Sequence, residues 1–338
     1  MTDNQVNLIS NFVLNNRRMK IVGLFCGGYS SEYDISLKSA TTIKTHFPKE
    51  YIVYKILVRE NKWQVESCSG LVSFDLNTCS FIENKVHIRI DIGLVYIHGN
   101  PGENGKIQAF LDLHTIPYLN SGPLASALSF DKWFCNQFLK SFNVPVAKSL
   151  FMTCEDQFSA SFIFSELGLP LFVKPSDSGS SYGISKVKSL GEIPTAITNA
   201  FAEGKSIVLE SFLDGIEVTC GVYRTKKGLK ALPLTEIASE NDFFDYDAKY
   251  NGKSQEITPA RVSDKVKSQV QERSKYIYEL LQLRSIARID FMLVKDEAFV
   301  IEVNTTPGFS SESIVPKMLA CEGKSIHDFW AEIIEAEL

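Results

Sequence analysis

The chain has 338 residues, of which 44% are hydrophobic and 22% are charged, and its formal net charge is -5. This composition is typical of globular proteins, and the length predicts two or three domains. It excludes disordered and collagen-like proteins, and the acidic balance leads us to expect no nucleic-acid partner.

The seven cysteines indicate a reducing compartment. They are odd in number and widely spaced, and no C-x-x-C pair occurs, so we expect neither a disulfide framework nor a zinc site.

No apolar run approaches the ~18 residues that span a bilayer. The polar, Asn-rich residues 1–18 predict a loose extension or a short added helix. We therefore expect a cytoplasmic protein.

Strands and helices alternate in the first third of the chain. KIVGLF, from Lys20, has a buried-strand pattern, two glycines interrupt it, and LKSATTIKTHF continues with helical spacing. The runs at 51–58 and 92–99 repeat the strand pattern, and a helix is predicted in KIQAFLDLHTI. This alternation predicts a parallel α/β domain over residues 1–119, with ligands at the carboxyl ends of its strands.

Residues 120–213 predict a second domain. A helix is expected in SALSFDKWFCNQFLKSFNV, with Ser129 as its N-cap and Asp131 in its first turn. Strands are predicted in LPLFVKP, ISKVKS and SIVLESFL, with the loop SDSGSSYG after the first of them.

Residues 214–338 predict a third domain, with strands around EVTCGVYR, KALPLTEI, ARIDFMLV and EAFVIEVN. The polar stretch from Glu236 to Pro259 has no periodicity. A structureless loop of that length inside a compact domain is usually functional, so we expect a lid over residues 236–259.

Three oxygen-bearing side chains on the last two predicted strands indicate a metal site. Glu302 and Asn304 are two residues apart and share a face, and a neighbouring strand would bring Asp290 beside them. Carboxylate and amide oxygens suit Mg²⁺, which takes few protein ligands plus water and phosphate oxygens. The alternative, an exposed polar strand face, fits less well because the intervening residues are apolar.

Two lysines are candidates for binding phosphate. Lys174 ends a predicted strand, and the loop after it offers backbone N–H groups for phosphate oxygens, whereas Lys132 stands earlier in the same domain. A surface lysine and a simple β-turn remain the alternatives. Glu210 and Glu217 flank a short strand edge that could bind an adenine ring or serve as a plain domain hinge.

The order of the motifs is more specific than any one of them. GGYSSEYDISL, IHGNPGENGKIQAFLDLHTIPYLNSGPLASALSFDK, VKPSDSGSSYGISKV, DYDAKY, ARIDFMLV and EVNTTPGFSSESIVP together resemble the D-alanine:D-alanine ligases of the ATP-grasp superfamily. The resemblance runs from about Lys20 to the C-terminus. It implies a three-domain α/β ATP-grasp fold, in which an N-terminal parallel α/β domain is joined by middle and C-terminal α+β domains that clasp ATP.

The resemblance also implies an activity and residue roles. The reaction would join two D-alanine molecules at the expense of ATP through an acyl phosphate, supplying a peptidoglycan precursor. Residues matching the ATP-binding positions are Lys132, Lys174, Glu210, Ser211, Phe212, Leu213 and Glu217, and those matching the magnesium ligands are Asp290, Glu302 and Asn304.

Further positions match the substrate site. Catalytic roles would belong to Glu32, Ser180, Tyr250, Arg288 and Gly308, and substrate contacts to His98, Lys249, Ser313 and Ile314. Asn104, Tyr182 and Glu312 depart from the family pattern beside these ligands.

The expected ligands are ATP, D-alanine and Mg²⁺, with Mn²⁺ as a substitute metal, and the expected assembly is a homodimer without a membrane partner. Two rival functions remain open. One is a ligase that makes D-alanyl-D-lactate or D-alanyl-D-serine, and the other is a non-catalytic ATP-binding protein that kept the fold.

Overall fold

The computed structural model describes residues 19–177, 179, 182–239 and 254–338. These residues form three sheets with helices packed on them and one separate hairpin. Within these ranges, no helix combines the length and the apolar character needed to cross a membrane. The predicted extension over residues 1–18 lies outside the described residues.

The first unit is built on a sheet of order β4-β3-β2-β1-β7. Its elements are β1 (Lys20–Gly27), α1 (Tyr33–His46), β2 (Tyr51–Arg59), β3 (Lys62–Ser67), β4 (Gly70–Ser73), the hairpin β5 (Ser80–Glu83) and β6 (Val86–Arg89), β7 (Ile92–Val95) and α2 (Lys106–Leu113). β1 pairs in parallel with β2 and β7, as the alternation predicts, whereas β3 and β4 extend the sheet antiparallel.

Strand β1 is apolar throughout because both faces of the sheet are covered. Leu24 packs in one buried cluster and Phe25 in the cluster on the opposite face. The strand ends at Gly27, where φ is 94°. A Cβ atom at this position would lie 2.6 Å from a ring carbon of Tyr33, so both the backbone conformation and the available space favour glycine. The chain therefore turns sharply from β1 into the loop before α1.

The middle sheet has the order β10-β9-β11-β8 and is antiparallel. Its elements are β8 (Ser149–Thr153), α5 (Ala160–Leu167), β9 (Leu171–Pro175), β10 (Ser185–Val187), the 3-10 turn Leu190–Glu192, α6 (Ile193–Glu203) and β11 (Ser206–Ser211). Val173 and Leu209 pack in the core beneath α5 and α6. Because side chains alternate along a strand, Lys174 and Glu210 lie on the other face.

Two helices replace the single helix predicted around Ser129. They are α3 (Pro123–Phe130) and α4 (Lys132–Ser141). The prediction that Ser129 is an N-cap is wrong, because Ser129 lies inside α3 and Asp131 is the N-cap of α4, accepting from the N–H of Phe134 at 3.1 Å. The extended backbone conformation of Asp131 separates the two helices.

The third unit contains the sheet β15-β14-β12-β16-β17, with β13 beside β12. Its elements are β12 (Ile216–Thr225), β13 (Gly228–Ala231), β14 (Thr235–Ser239), β15 (Ser254–Ile257), α7 (Asp264–Leu280), β16 (Ile286–Val294), β17 (Glu297–Asn304), α8 (Ile314–Cys321) and α9 (Ile326–Glu337). The single strand expected in KALPLTEI is therefore two strands, β13 and the start of β14.

The stretch expected to be a structureless lid is ordered at both ends. β14 and β15 pair antiparallel, with Glu236 opposite Ile257 and Ile237 opposite Glu256. β15 is a polar strand at the sheet edge without apolar periodicity, which is why the sequence pattern missed it and predicted only the start of β14. The remainder of the expected lid, residues 240–253, lies outside the described residues.

The first and third units share a hydrophobic core. Phe309, Phe329 and Trp330, from the third unit, pack in one cluster with Leu24 and Tyr96 of the first unit. Trp330 is fully buried, with its ring centroid 6.1 Å from that of Tyr96. This packing holds the carboxyl ends of β1 and β7 against the loop that follows β17.

Candidate active site

A cavity of about 330 Å³ opens where the three units meet. Its lining contains nine residues predicted from sequence: Glu32, His98, Lys132, Arg288, Glu302, Asn304, Gly308, Ser313 and Ile314. The first unit supplies a carboxylate and an imidazole, and the third unit supplies a guanidinium, a carboxylate, an amide and the start of helix α8. Residues far apart in the chain therefore converge on one cavity.

The ladder between β16 and β17 forms the floor of the site. Asp290 lies opposite Glu302 and Arg288 lies opposite Asn304, so all four side chains share one face. The register shifts between Asp290 and Phe291, which is a β-bulge. Bulges are frequent beside active sites because they redirect a side chain, and this one sets Glu302 opposite Asp290.

Asp290 is the most heavily hydrogen-bonded side chain of this floor. Arg288 donates to both of its carboxylate oxygens, from Nε at 2.8 Å and from Nη2 at 2.7 Å. The Thr219 hydroxyl donates to Oδ1 at 2.5 Å, and Nδ2 of Asn304 donates to Oδ2 at 3.0 Å. Asp290 is 5% exposed, so these four bonds compensate the burial of its charge.

Arg288 is a buried cation of the site. Burial alone would lower the pKa of its guanidinium, but the charge and hydrogen bonds of Asp290 and the charge of Glu302 outweigh burial and raise that pKa above its ordinary value. Arg288 therefore carries a fixed positive charge beside the cavity.

The oxygen donors predicted for Mg²⁺ lie close together. Glu302 and Asn304 line the cavity, and Asp290 is adjacent to both. The side-chain nitrogen of Asn304 donates to Asp290, so the side-chain oxygen of Asn304 takes no part in that bond. Among the described residues, no cluster of three or more His, Cys, Asp or Glu side chains is placed to hold a metal ion.

His98 and Glu32 line the cavity from the first unit. Glu32 lies just before α1, and His98 follows β7 in a loop. Burial lowers the pKa of His98, while the charge of Glu32 and a hydrogen bond to the backbone of Thr306 act to raise it. The net direction is down, so His98 is neutral at neutral pH.

Glu103 is a cavity residue that sequence reasoning missed. Its Oε2 accepts from the N–H of Gly99 at 2.8 Å. Burial raises the pKa of Glu103 to about 8, and the nearby negative charge of Glu32 contributes to the rise. Its place in the turn NPGENG, between two candidate ligand loops, is a signal that could have identified it.

Of the candidate nucleotide residues, Lys132 lines the cavity, whereas Lys174 and Glu210 are buried on the face of the middle sheet opposite its core. Lys174 and Glu210 form an ion pair of 2.5 Å, and Asn136 donates to the other oxygen of Glu210 at 3.0 Å. The ring of Phe212 is flanked by Phe172 and by the ammonium of Lys186, 4.1 Å from the ring centroid. Ser211 and Leu213 adjoin Phe212. Glu217, on β12, lies opposite Met292 on β16.

Hydrogen bonds of Ser176 bring the backbone of Lys132 near the end of the strand that carries Lys174. The N–H of Lys132 donates to the carbonyl of Ser176 at 2.9 Å, and the Ser176 hydroxyl donates to Asp131 at 2.6 Å. The start of α4 is thereby fixed to the end of β9, which is the strand that carries Lys174. Two lysines from different elements therefore border the same region, as phosphate binding would require.

Some predictions cannot be compared with the structure. Ser180, Lys249 and Tyr250 lie outside the described residues. Of the three departures from the family pattern, Glu312 lines the cavity, Asn104 donates to Oδ1 of Asn100 at 2.8 Å, and Tyr182 is 39% exposed.

The comparisons with known proteins agree with this architecture. The family model described as D-ala D-ala ligase N-terminus matches residues 21–121, and the model described as D-ala D-ala ligase C-terminus matches residues 138–335. A D-alanine–D-alanine ligase from Parabacteroides distasonis is 42% identical over 322 residues, which cover 94% of this chain and 98% of that protein.

Two solved structures are similar over nearly the whole chain. The VanG D-Ala:D-Ser ligase from Enterococcus faecalis has a TM-score of 0.85 at 28% identity, covering 95% of this chain and 100% of that one. The D-alanine–D-alanine ligase from Bacillus anthracis complexed with ATP has a TM-score of 0.77 at 25% identity, covering 94% and 97%. The three-domain ATP-grasp fold expected from the motifs is confirmed, and the chain belongs to the D-alanine–D-alanine ligase family.

Proposed function

We propose that the chain converts ATP and two D-alanine molecules into D-alanyl-D-alanine, ADP and phosphate for peptidoglycan synthesis. The observation that carries the proposal is the cavity in which Glu32, His98, Arg288, Glu302 and the Gly308 loop meet. This cavity combines anionic groups for an ammonium with cationic and N–H groups for a carboxylate. Such a site suits two zwitterionic substrates.

In the proposed first step, the carboxylate of one D-alanine attacks the γ-phosphorus of ATP and ADP leaves. Glu32 binds the ammonium of that D-alanine, and His98 stands beside it. Lys132 and Arg288 neutralise charge that develops on the transferred group. No nucleophile from the protein is needed, so catalysis rests on positioning and electrostatics.

In the second step, the amine of the other D-alanine attacks the acyl phosphate and phosphate leaves. Arg288 and the N–H of Gly308 face the oxyanion that forms, where fixed donors act most strongly. Ser313 and Arg288 bind the second carboxylate, and Ile314 contributes contacts there. Support for this comes from the start of helix α8 at Ile314, since a helix N-terminus attracts an anion.

ATP is assigned to the space between the middle and C-terminal sheets. Lys132 and Lys174 contact phosphates, residues 210–213 contact adenine, and Glu217 contacts the ribose. In the structure described here Lys174 is paired with Glu210. The proposal therefore requires Lys174 to exchange a carboxylate for a phosphate when the nucleotide binds.

Asp290, Glu302 and Asn304 are assigned to Mg²⁺, with Mn²⁺ as a substitute. Bound there, the ion would neutralise charge on the phosphates of ATP. Glu302 and Asn304 reach the cavity directly. Both oxygens of Asp290 already accept two hydrogen bonds each, so Asp290 would join only by giving up one of them.

Three further assignments rest on the resemblance alone. Ser180 and Tyr250 would hydrogen-bond with Glu32, and Lys249 would reach the transferred phosphate from a lid within 236–259. We also propose the division into residues 1–119, 120–213 and 214–338, a cytoplasmic location and a homodimer. All seven cysteines are free thiols.

The similarity to a D-Ala:D-Ser ligase gives a second candidate, in which the second substrate is D-serine. The D-alanine–D-alanine ligase from Parabacteroides distasonis is 42% identical to this chain, against 28% for the D-Ala:D-Ser ligase, which favours D-alanine. Formation of an ester with D-lactate is the third alternative. A competition with equal D-alanine, D-serine and D-lactate, with products separated by mass, tests the three, and mainly D-alanyl-D-alanine is expected.

A further inference from the structure

A buried serine connects the first unit to the loop that carries Gly308. Ser39 lies on helix α1 and is fully buried. Its Oγ accepts from the backbone N–H of Phe309 at 3.1 Å and lies 3.4 Å from Nε2 of His98. Both partners are buried as well, with His98 5% and Phe309 0% exposed. These contacts involve groups separated from water, so each can fix the geometry of its partner.

The contacts define which atom donates. The Phe309 N–H occupies one lone pair of the Ser39 oxygen, and the hydroxyl proton then remains for a second partner. Nε2 of His98 is that partner when the imidazole is neutral and Nε2 carries no proton. The backbone of Thr306 acts to raise the pKa of His98, as a carbonyl that accepts from a ring N–H does.

The loop between Thr306 and Phe309 is thus held from both sides by the first unit. The ring of His98 bonds to the Thr306 end, and Ser39 bonds to the Phe309 end. Gly308 lies between them and lines the cavity. An ideal Cβ at Gly308 would stand 3.0 Å from Oγ of Ser313, so the loop also runs close to the second-substrate region.

We propose that Ser39 is a positioning residue that fixes one tautomer of His98 and the orientation of the Gly308–Phe309 peptide at the same time. The inference rests on the proposed function insofar as His98 and Gly308 contact substrates. Ser39 itself lines no part of the cavity. It acts through two groups that do, and it couples the first-substrate end of the site to the oxyanion end.

The charged groups that face His98 are Glu32 and Arg288, and they act in opposite directions on its protonation. Tyr96 packs edge-on to the imidazole, with ring centroids 6.3 Å apart. Ser39 supplies the polar contact at Nε2. Its loss would leave the ring with its contact to the Thr306 backbone and without the partner that favours an unprotonated Nε2.

The test compares Ser39→Ala with Ser274→Ala as a matched control. Ser274 is also fully buried on a helix and donates to the carbonyl of Val270, away from the cavity. Ser39→Ala should lower kcat by about tenfold to a hundredfold, with KM for ATP changed less than about twofold, because small misplacements near a reacting centre cost rates of that size. Ser274→Ala should leave both constants within about twofold. Equal effects of the two variants on kcat would overturn the proposal.

A second readout is independent of activity. ¹⁵N NMR of histidine-labelled protein, with the His98 signal identified by its loss in His98→Asn, should reveal an unprotonated, hydrogen-bonded Nε2 in the unsubstituted protein. Ser39→Ala should change that tautomer balance, and Ser274→Ala should not. An unchanged His98 spectrum in Ser39→Ala would refute the tautomer assignment, even if the protein made no dipeptide and the proposed function failed.

A double substitution separates positioning from general packing. If Ser39 acts through His98, the kcat loss from Ser39→Ala should be at least about threefold smaller in a His98→Asn background, because the coupled contact is already gone. The part transmitted through Phe309 would remain. A loss of the same size in both backgrounds would show that His98 is not the intermediary.

Discussion

Lys174 and Glu210 form a buried ion pair across neighbouring strands, with Nζ 2.5 Å from Oε2 and side chains that are 9% and 8% exposed. The sequence analysis considered the two residues separately, as a phosphate contact and an adenine contact. The pair means that each holds the other in place in the structure described here. Their roles in nucleotide binding and in stability are therefore linked.

This pair predicts a large stability effect from a substitution that keeps side-chain length. Lys174→Met leaves the Glu210 carboxylate buried without its cation and should lower the free energy of unfolding by about 3 kcal/mol. Lys148→Met is the control, because Lys148 pairs with Glu166 at the surface and should cost less than about 1 kcal/mol. Urea denaturation measures both, and equal losses would contradict the buried-pair account.

The break between α3 and α4 predicts which of two nearby residues matters for helix stability. Asp131→Ala should cost about 1 kcal/mol, since it removes the N-cap of α4 and the acceptor of the Ser176 hydroxyl. Ser129→Ala should cost less, because within the described part of the chain its hydroxyl has no hydrogen-bond partner. Thermal or urea unfolding of the two variants decides, and the reverse order would restore Ser129 as the cap.

These two cases indicate what the sequence could predict. The apolar runs of β1 and β16 and the spacing of Glu302 and Asn304 are local signals, and the structure has those strands. The partner of Lys174 depends on how β9 pairs with β11, which no local pattern encodes. The same holds for β15, which is polar and is defined by its pairing with β14.

Substitution of Glu302 tests the metal assignment. Glu302→Gln keeps the volume of the side chain and removes one of two carboxylates on the floor of the site, so ligation should fall by more than about a hundredfold while the fold is retained. The control is Glu297→Gln, at the exposed start of the same strand, which should leave activity within about twofold. Activity of Glu302→Gln within a few-fold at limiting Mg²⁺ would contradict the assignment.

Glu103 predicts a pH dependence of stability. Burial raises its pKa to about 8 in the folded chain, from 4.5 when unperturbed. Between these values the folded state holds a proton that the unfolded state has released, so the contribution of Glu103 is complete below pH 4.5 and is lost as the pH rises through about 8.

The isosteric variant Glu103→Gln has no carboxyl group at this position, so it does not lose this stability as the pH rises. The unfolding free energy of Glu103→Gln relative to the unsubstituted protein should rise with pH, by at most about 1.4 kcal/mol per unit. Urea titrations from pH 5 to pH 9 measure the difference, and a difference that does not change with pH would refute a protonated Glu103.

The most direct measurement is the stoichiometry of the reaction with D-alanine as the only amino acid. With ATP and Mg²⁺ present, we expect phosphate release that depends on D-alanine, with one ADP and one phosphate formed for each D-alanyl-D-alanine identified by mass. ATP hydrolysis that is independent of D-alanine, or the absence of dipeptide from a folded protein that binds ATP, would contradict the assignment of this chain as a D-alanine–D-alanine ligase.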